Sequence, residues 1–142
     1  MVFSFHPFAT LPTDRRGVAL VEFAITLPLL LYLILGILTY GQYFLLAHSA
    51  QQLANDAARS TIAGLTGAER ASLAGTTISR EAASLDSVKL SDISHSIRED
   101  GKDVMVTVRI DASRVPLIST HLIPVPDPMI ERRAVIARGG IS

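Results

Sequence analysis

The sequence predicts an α+β protein. Its parts are a long N-terminal helix, membrane-spanning and extended outward, and a small C-terminal antiparallel sheet. Three observations carry this. Phe23 to Ala47 is a run of 25 residues without a formal charge. From Leu46 onward, apolar and small residues recur at helical spacings. Between Val104 and Ile110, Val104, Val106, Val108 and Ile110 alternate with Met105, Thr107 and Arg109, the period of a half-buried strand.

The composition sets the bounds. The 142 residues include 13 Lys+Arg and 13 Asp+Glu, so formal net charge is zero. A protein whose main work is gripping nucleic acid needs a basic surplus to neutralise phosphate, and none is present. Hydrophobic residues make up 49% and charged residues 18%, and mean hydropathy is +0.38. That charged share is below the roughly 25% of soluble domains, so much apolar surface must be hidden from water. Cysteine is absent, which excludes a disulfide framework, a thiolate metal site and a cysteine nucleophile. A non-reducing compartment stays open, because disulfides are permitted there and not required.

The uncharged run is long enough to span a bilayer, whose core takes roughly 20 apolar residues of helix. A buried helix of a soluble protein is the rival reading, but the rest of the chain offers little apolar surface to wrap one. A secretory signal has an apolar stretch of about 7–15 residues, shorter than this one. Thr26 can bond back to the helix backbone, and Pro28 removes one N–H, which membrane helices tolerate. Arg15 and Arg16 precede the run, and the next fixed positive charge is Arg59. The positive-inside bias then puts the N-terminus in the cytoplasm and the C-terminus outside it. Glu22 is a carboxylate near a membrane edge. Such a residue either reaches the headgroups or carries a task.

The helix is expected to continue to about Ala63. Its outward stripe is Leu46, Ala50, Leu53, Ala54, Ala57, Ala58, Thr61, Ile62 and Leu65. It can cover the chain's own C-terminal domain or a partner subunit. Gly64 and Gly67 end it. Thr66 with Glu69 reads as a capping box for a second helix, whose apolar face is Ala71, Ala74, Ile78, Ala82 and Leu85.

Ile93, His95 and Ile97 alternate with Ser94, Ser96 and Arg98. Glu99 to Lys102 reads as a turn, and Val104 to Ile110 as the partner strand of a hairpin. Pro116, Pro124, Pro126 and Pro128 mark an irregular segment. A last strand, Met129 to Ala137, brings Ile130, Ala134 and Ile136 to the inner face of the sheet. Three strands on a helix can be stable where one hairpin is not.

No catalytic constellation is visible, so no enzymatic activity and no cofactor or metal are expected. His6, His48, His95 and His121 make no metal spacing, and no nucleophile elbow or phosphate loop occurs. His48, Tyr40 and Tyr43 read as membrane-interface residues. His95 and the Arg132-Arg133 pair read as solvated strand positions.

Arg15-Arg16-Gly17, then Val18-Ala-Leu-Val-Glu22-Phe23, then the apolar run, resembles the class III signal of type IV pilins and pseudopilins. The resemblance narrows at Gly17, Glu22-Phe23-Ala24, Leu27-Pro28-Leu29-Leu30, Gly36-Ile37 and Asp56-Ala57-Ala58-Arg59. These residues are similar to TadE-like proteins, minor pseudopilins of tight-adherence (Flp-type, type IVb) pilus systems. It covers residues 15–59 and implies a pilin-like fold.

The resemblance also implies cleavage by a prepilin peptidase between Gly17 and Val18, with Glu22 as the fifth residue of the mature chain. Glu22 and Phe23 then serve processing and assembly, while Arg15 and Arg16 set topology. Glycine lets the backbone at the scissile bond lie extended in a protease cleft. The implied partners are the peptidase, other pilins or pseudopilins, the assembly machinery and membrane lipid, with no nucleic acid and no small-molecule substrate. The implied location is the bacterial inner membrane or a pilus. The expected division is a leader at 1–17, a transmembrane helix at 18–46, a helical extension at 47–64 and an α+β domain at 65–142. The alternative is an uncleaved signal-anchor protein that acts as an envelope scaffold or assembly partner.

Overall fold

The computed structural model describes residues 15–138. They form α1 (Arg15–Ser60), a 3-10 turn (Thr61–Ala63), α2 (Gly67–Ala82), β1 (Ile93–Asp100), β2 (Asp103–Asp111), α3 (Pro116–Ser119) and β3 (Met129–Ala137). A second 3-10 turn, Leu90–Asp92, leads into β1. The fold is the expected α+β arrangement of a long N-terminal helix and a three-stranded antiparallel sheet in the order β1-β2-β3. The chain divides after Ile34 into two compact units.

The first unit carries the start of α1. Its residues from Arg15 to Ile34 are exposed throughout, apolar side chains included. α1 already includes Arg15, Arg16 and Gly17, the three residues before Val18.

The second unit has one core. Leu46, Ala47, Ala50, Leu53, Ala54, Ala57 and Ala58 of α1 are buried with Ala74 and Ile78 of α2 and with Val106, Val108, Ile110, Ile130 and Ala134 of the sheet. The outward stripe of α1 therefore packs on its own C-terminal domain. Five of its seven core residues are alanines, whose small side chains let a helix backbone come close to its neighbours. The stripe stops sooner than its spacing predicts. Ile62 and Leu65 are 64% and 89% exposed. The tightening to 3-10 geometry at Thr61 abandons the 3.6-residue period, so the next apolar residues swing outward. The expected transmembrane segment also reaches into this unit, since Thr39 and Leu46 are buried there.

α2 starts as the sequence predicts, with a variation. Thr66 Oγ1 accepts from the Glu69 amide at 3.2 Å. Glu69 Oε2 in turn accepts from the amide of Leu65, one residue before the cap, at 2.9 Å. Two unpaired N–H groups at the helix start are thereby satisfied. Gly75 of α2 faces His95 of β1, and a Cβ there would stand at about contact distance, 3.4 Å from His95 Nε2.

In the sheet, Ile93 pairs with Ile110 and Ile97 with Val106. Ile110 pairs with Ile130 and Val106 with Ala134 on the other side. This row forms the inner face. Ser94, Ser96 and Arg98 share the opposite face with Met105, Thr107, Arg109, Glu131 and Arg133. The expected turn is shorter than its four residues. Glu99 and Asp100 complete β1, and Gly101 and Lys102 alone reverse the chain between Asp100 and Asp103. Gly101 has a φ of 57°, and a positive φ at the first central residue only is the II′ pattern. Arg132 and Arg133 do not share a solvated face. Successive strand residues alternate, so Arg132 falls on the Val108 side and Arg133 on the open one. α3 occupies part of the expected irregular segment, with Pro116 in its first turn, where a missing N–H costs nothing.

Candidate membrane and processing site

The residues that the sequence singles out lie in the first turns of α1. Arg15, Arg16, Gly17, Val18, Glu22 and Phe23 are all helical and exposed. Residues 1–14 of the expected leader, His6 among them, lie outside the described residues. Helical geometry puts Val18 and Glu22, four apart, on one face about 6 Å apart along the axis. Arg15 is seven residues before Glu22 and falls on the same side. Phe23 lies about 100° round the helix from Glu22.

Gly17 is not explained by space. A Cβ built on it meets nothing within 4 Å. Within a helix, glycine costs roughly 0.5–1 kcal/mol relative to alanine. The Gly17–Val18 peptide bond is helical here, so a protease that needs an extended strand must first unwind this turn.

Beyond it, α1 presents an apolar cylinder. Val18, Leu20, Val21, Ile25, Leu29 and Ile37 are among its exposed side chains. Within the helix every backbone donor and acceptor except those freed at Pro28 can be met by the helix itself, as a hydrocarbon surrounding demands. By length and composition α1 can cross a membrane, and none of its most apolar 18-residue window is buried within the protein.

At the other end of the apolar run the aromatic residues expected at the membrane interface also make contacts within the protein. The Tyr40 hydroxyl donates to the Pro124 carbonyl at 2.7 Å. Tyr43 is partly buried against the core and meets the Phe44 ring edge-on at 6.0 Å. His48 Nε2 lies 3.1 Å from Gln52 Nε2, one helical turn on.

Sequence reading did not foresee the charged clusters of the second unit. Arg70, in the first turn of α2, is buried against the connection from α1. It donates twice to Glu99 at 2.8 Å, and to the carbonyls of Gly64 and Leu65 at 3.1 and 3.2 Å. These hydrogen bonds hold the Glu99 carboxyl below its ordinary value and raise the Arg70 guanidinium above its own. On the open sheet face Glu131 accepts from Arg109 and Arg133, which hold its carboxyl low in the same way. No signal in the sequence links positions 29 apart, and Glu99 reads locally as a turn residue. Among the described residues no group of His, Cys, Asp and Glu could hold a metal ion.

Fold and site together define a class: an α+β domain carried on a single helix able to anchor it in a membrane. A family model described as TadE-like protein matches residues 17–59. The match opens on Gly17 and closes one residue before the end of α1. No curated protein and no solved structure matches the chain.

Proposed function

We propose that this chain is a minor pseudopilin for assembly or priming of a tight-adherence pilus, cut by a prepilin peptidase between Gly17 and Val18. One observation carries the reading. The TadE-like match coincides with α1 and starts at Gly17, five residues before Glu22. In this reading the protein sits in the inner membrane with Arg15 and Arg16 on the cytoplasmic side. Residues 1–17 are removed as leader, and the sheet domain stands outside the cytoplasm. The role is structural and not enzymatic, and its partners are the peptidase, other pilins and the assembly machinery.

The mechanism follows from the helix. Cleavage leaves an amine on Val18, one turn before the Glu22 carboxylate on the same face. The two can pair within one subunit or between neighbours. Opposite charges attract strongly where water is scarce, but desolvation offsets much of the gain. The pairing therefore serves to set register between subunits more than to add stability. The N-terminal residue of the membrane-extracted protein, read by mass spectrometry with and without the peptidase, tests this. A peptidase-dependent start at Val18 supports it, and an intact leader under both conditions overturns it.

A second reading, an uncleaved signal anchor that serves as an envelope scaffold, has its own support. The Gly17–Val18 bond lies in regular helix, a conformation that resists proteolysis. The same measurement separates the two.

A further inference from the structure

The apolar run is longer than the part of α1 that has no buried side chain. None of Val18 to Leu38 is buried, whereas Thr39 is 1% exposed, and beyond it only part of the helix surface stays open, with Phe44 and Leu45 64% and 61% exposed. That stretch of 21 residues measures about 31 Å at 1.5 Å per residue, one hydrocarbon thickness. At the next residue the Tyr40 hydroxyl holds the Pro124 carbonyl. The hydrogen bond thus ties an irregular segment to α1 where the hydrocarbon ends.

That segment suits the place. Val115 to Pro126 contains no Asp, Glu, Lys or Arg. Leu122 is 60% exposed, while its neighbour Ile123 is buried and fixes the segment to the domain. Pro116, Pro124 and Pro126 bring no N–H groups that must find water. The remaining irregular backbone cannot enter hydrocarbon, because its polar groups would go unmet, but the headgroup layer can satisfy them. His121 turns the chain after α3 with a φ of 54°, a conformation uncommon outside glycine.

We propose that residues 120–125 lie on the membrane at the headgroup–acyl boundary, with Leu122 seated in the interface and Tyr40 as the tether. The partner is the lipid surface itself. With no formal charge in the segment, the contact is apolar and insensitive to salt. It rests on the membrane-anchor reading of α1.

The absence of cysteine makes single nitroxide sites unique. Leu31→Cys, Leu122→Cys and Met105→Cys place one label in the span, one on the segment and one on the open sheet face. Each full-length variant is reconstituted in phosphatidylcholine vesicles, and collision with oxygen and with a water-soluble nickel chelate is measured. The expected result is an oxygen-rich, nickel-poor label at position 31. The label at 122 then meets nickel several-fold less than the label at 105, and oxygen more. Equal nickel access at 122 and 105, with 31 still shielded, overturns the surface contact and leaves the anchor standing. A label at 122 shielded from both reagents, and released on dilution of protein in lipid, assigns the segment to a second copy and overturns the proposal. Nickel access at 31 overturns the anchor and the contact together.

Discussion

Arg70 and Glu99 meet side by side, two nitrogens of the guanidinium donating to the two carboxylate oxygens at 2.8 Å. The third nitrogen of Arg70 holds the carbonyls of Gly64 and Leu65. One side chain thereby fastens the α1–α2 connection to the end of β1. Arg70→Ala should lower the melting temperature more than Arg109→Ala, whose ion pair is largely exposed and so weak. Arg70→Lys should fall between them, since an ammonium keeps the charge but cannot reproduce the planar fork. Thermal unfolding of the three variants in the same detergent reads the order, and an Arg109→Ala loss as large as that of Arg70→Ala would overturn the hub.

The same pairs fix a pH dependence. Glu99 and Glu131 are held below their ordinary value of 4.5, and Asp111 below 3.8 through hydrogen bonds from Ser113. The unfolded chain then binds more protons in acid than the folded one, so stability rises with pH across this window. The contribution is complete above the ordinary values and is lost as pH falls through the depressed folded ones. The melting temperature should therefore drop below pH 4.5, and Glu99→Gln should shrink that drop. An unchanged acid slope in Glu99→Gln would remove Glu99 from the account.

Gly64 is required by crowding, not by its backbone angle. A Cβ there would stand 2.6 Å from Arg70 Cγ and 2.8 Å from the Arg70 backbone nitrogen. The backbone atom cannot swing aside as a side-chain tip can. Gly64→Ala should cost about 1–3 kcal/mol, the usual range for overpacking. Denaturant unfolding checks it, with Gly67→Ala as the milder comparison, because its nearest neighbour is the end of the Glu99 side chain at 3.3 Å.

Two residues in left-handed conformation should respond with opposite sign. Gly101→Ala puts a Cβ at a φ of 57° and should destabilise by about 1–2 kcal/mol. His121→Gly relieves the same strain at a φ of 54° and should be neutral or stabilising, by up to about 1 kcal/mol. Equilibrium unfolding of both variants measures the pair.

What could be read in the sequence was what repeats. The stripe Leu46, Ala50, Leu53, Ala54, Ala57 and the alternation Val104, Val106, Val108, Ile110 each state a period, and the structure buries both. Thr66 and Glu69 were legible as a cap because capping is local. Arg70 was not, since nothing near it names Glu99. Ile62 and Leu65 were misread because the helix changes pitch at Thr61, which their spacing does not reveal. The candidate site divides in the same way. Gly17 and Glu22 stand out by spacing alone, whereas the bond from Tyr40 to Pro124 joins positions 84 apart and leaves no local trace.

Gly17 offers the sharpest separation of structure from processing. Nothing packs against it, and its place in a helix gives no conformational reason for glycine. Gly17→Leu should therefore leave the fold intact and strengthen the first turn slightly, by about 0.5–1 kcal/mol, since leucine is the better helix former. If the peptidase reads this position, the same substitution should abolish cleavage, because a branched side chain crowds a cleft shaped for a bare backbone. Glu22→Gln should do the reverse, leaving the scissile bond untouched but removing the charge that pairs with the new Val18 amine, so the processed chain should fail to assemble. Circular dichroism, N-terminal mass spectrometry and pilus counts on the two variants give a crossed pattern. A Gly17→Leu chain cut as well as the parent, or a Glu22→Gln chain that assembles normally, breaks that pattern. The first outcome removes the processing role and the second the assembly role, so each residue is judged on its own readout.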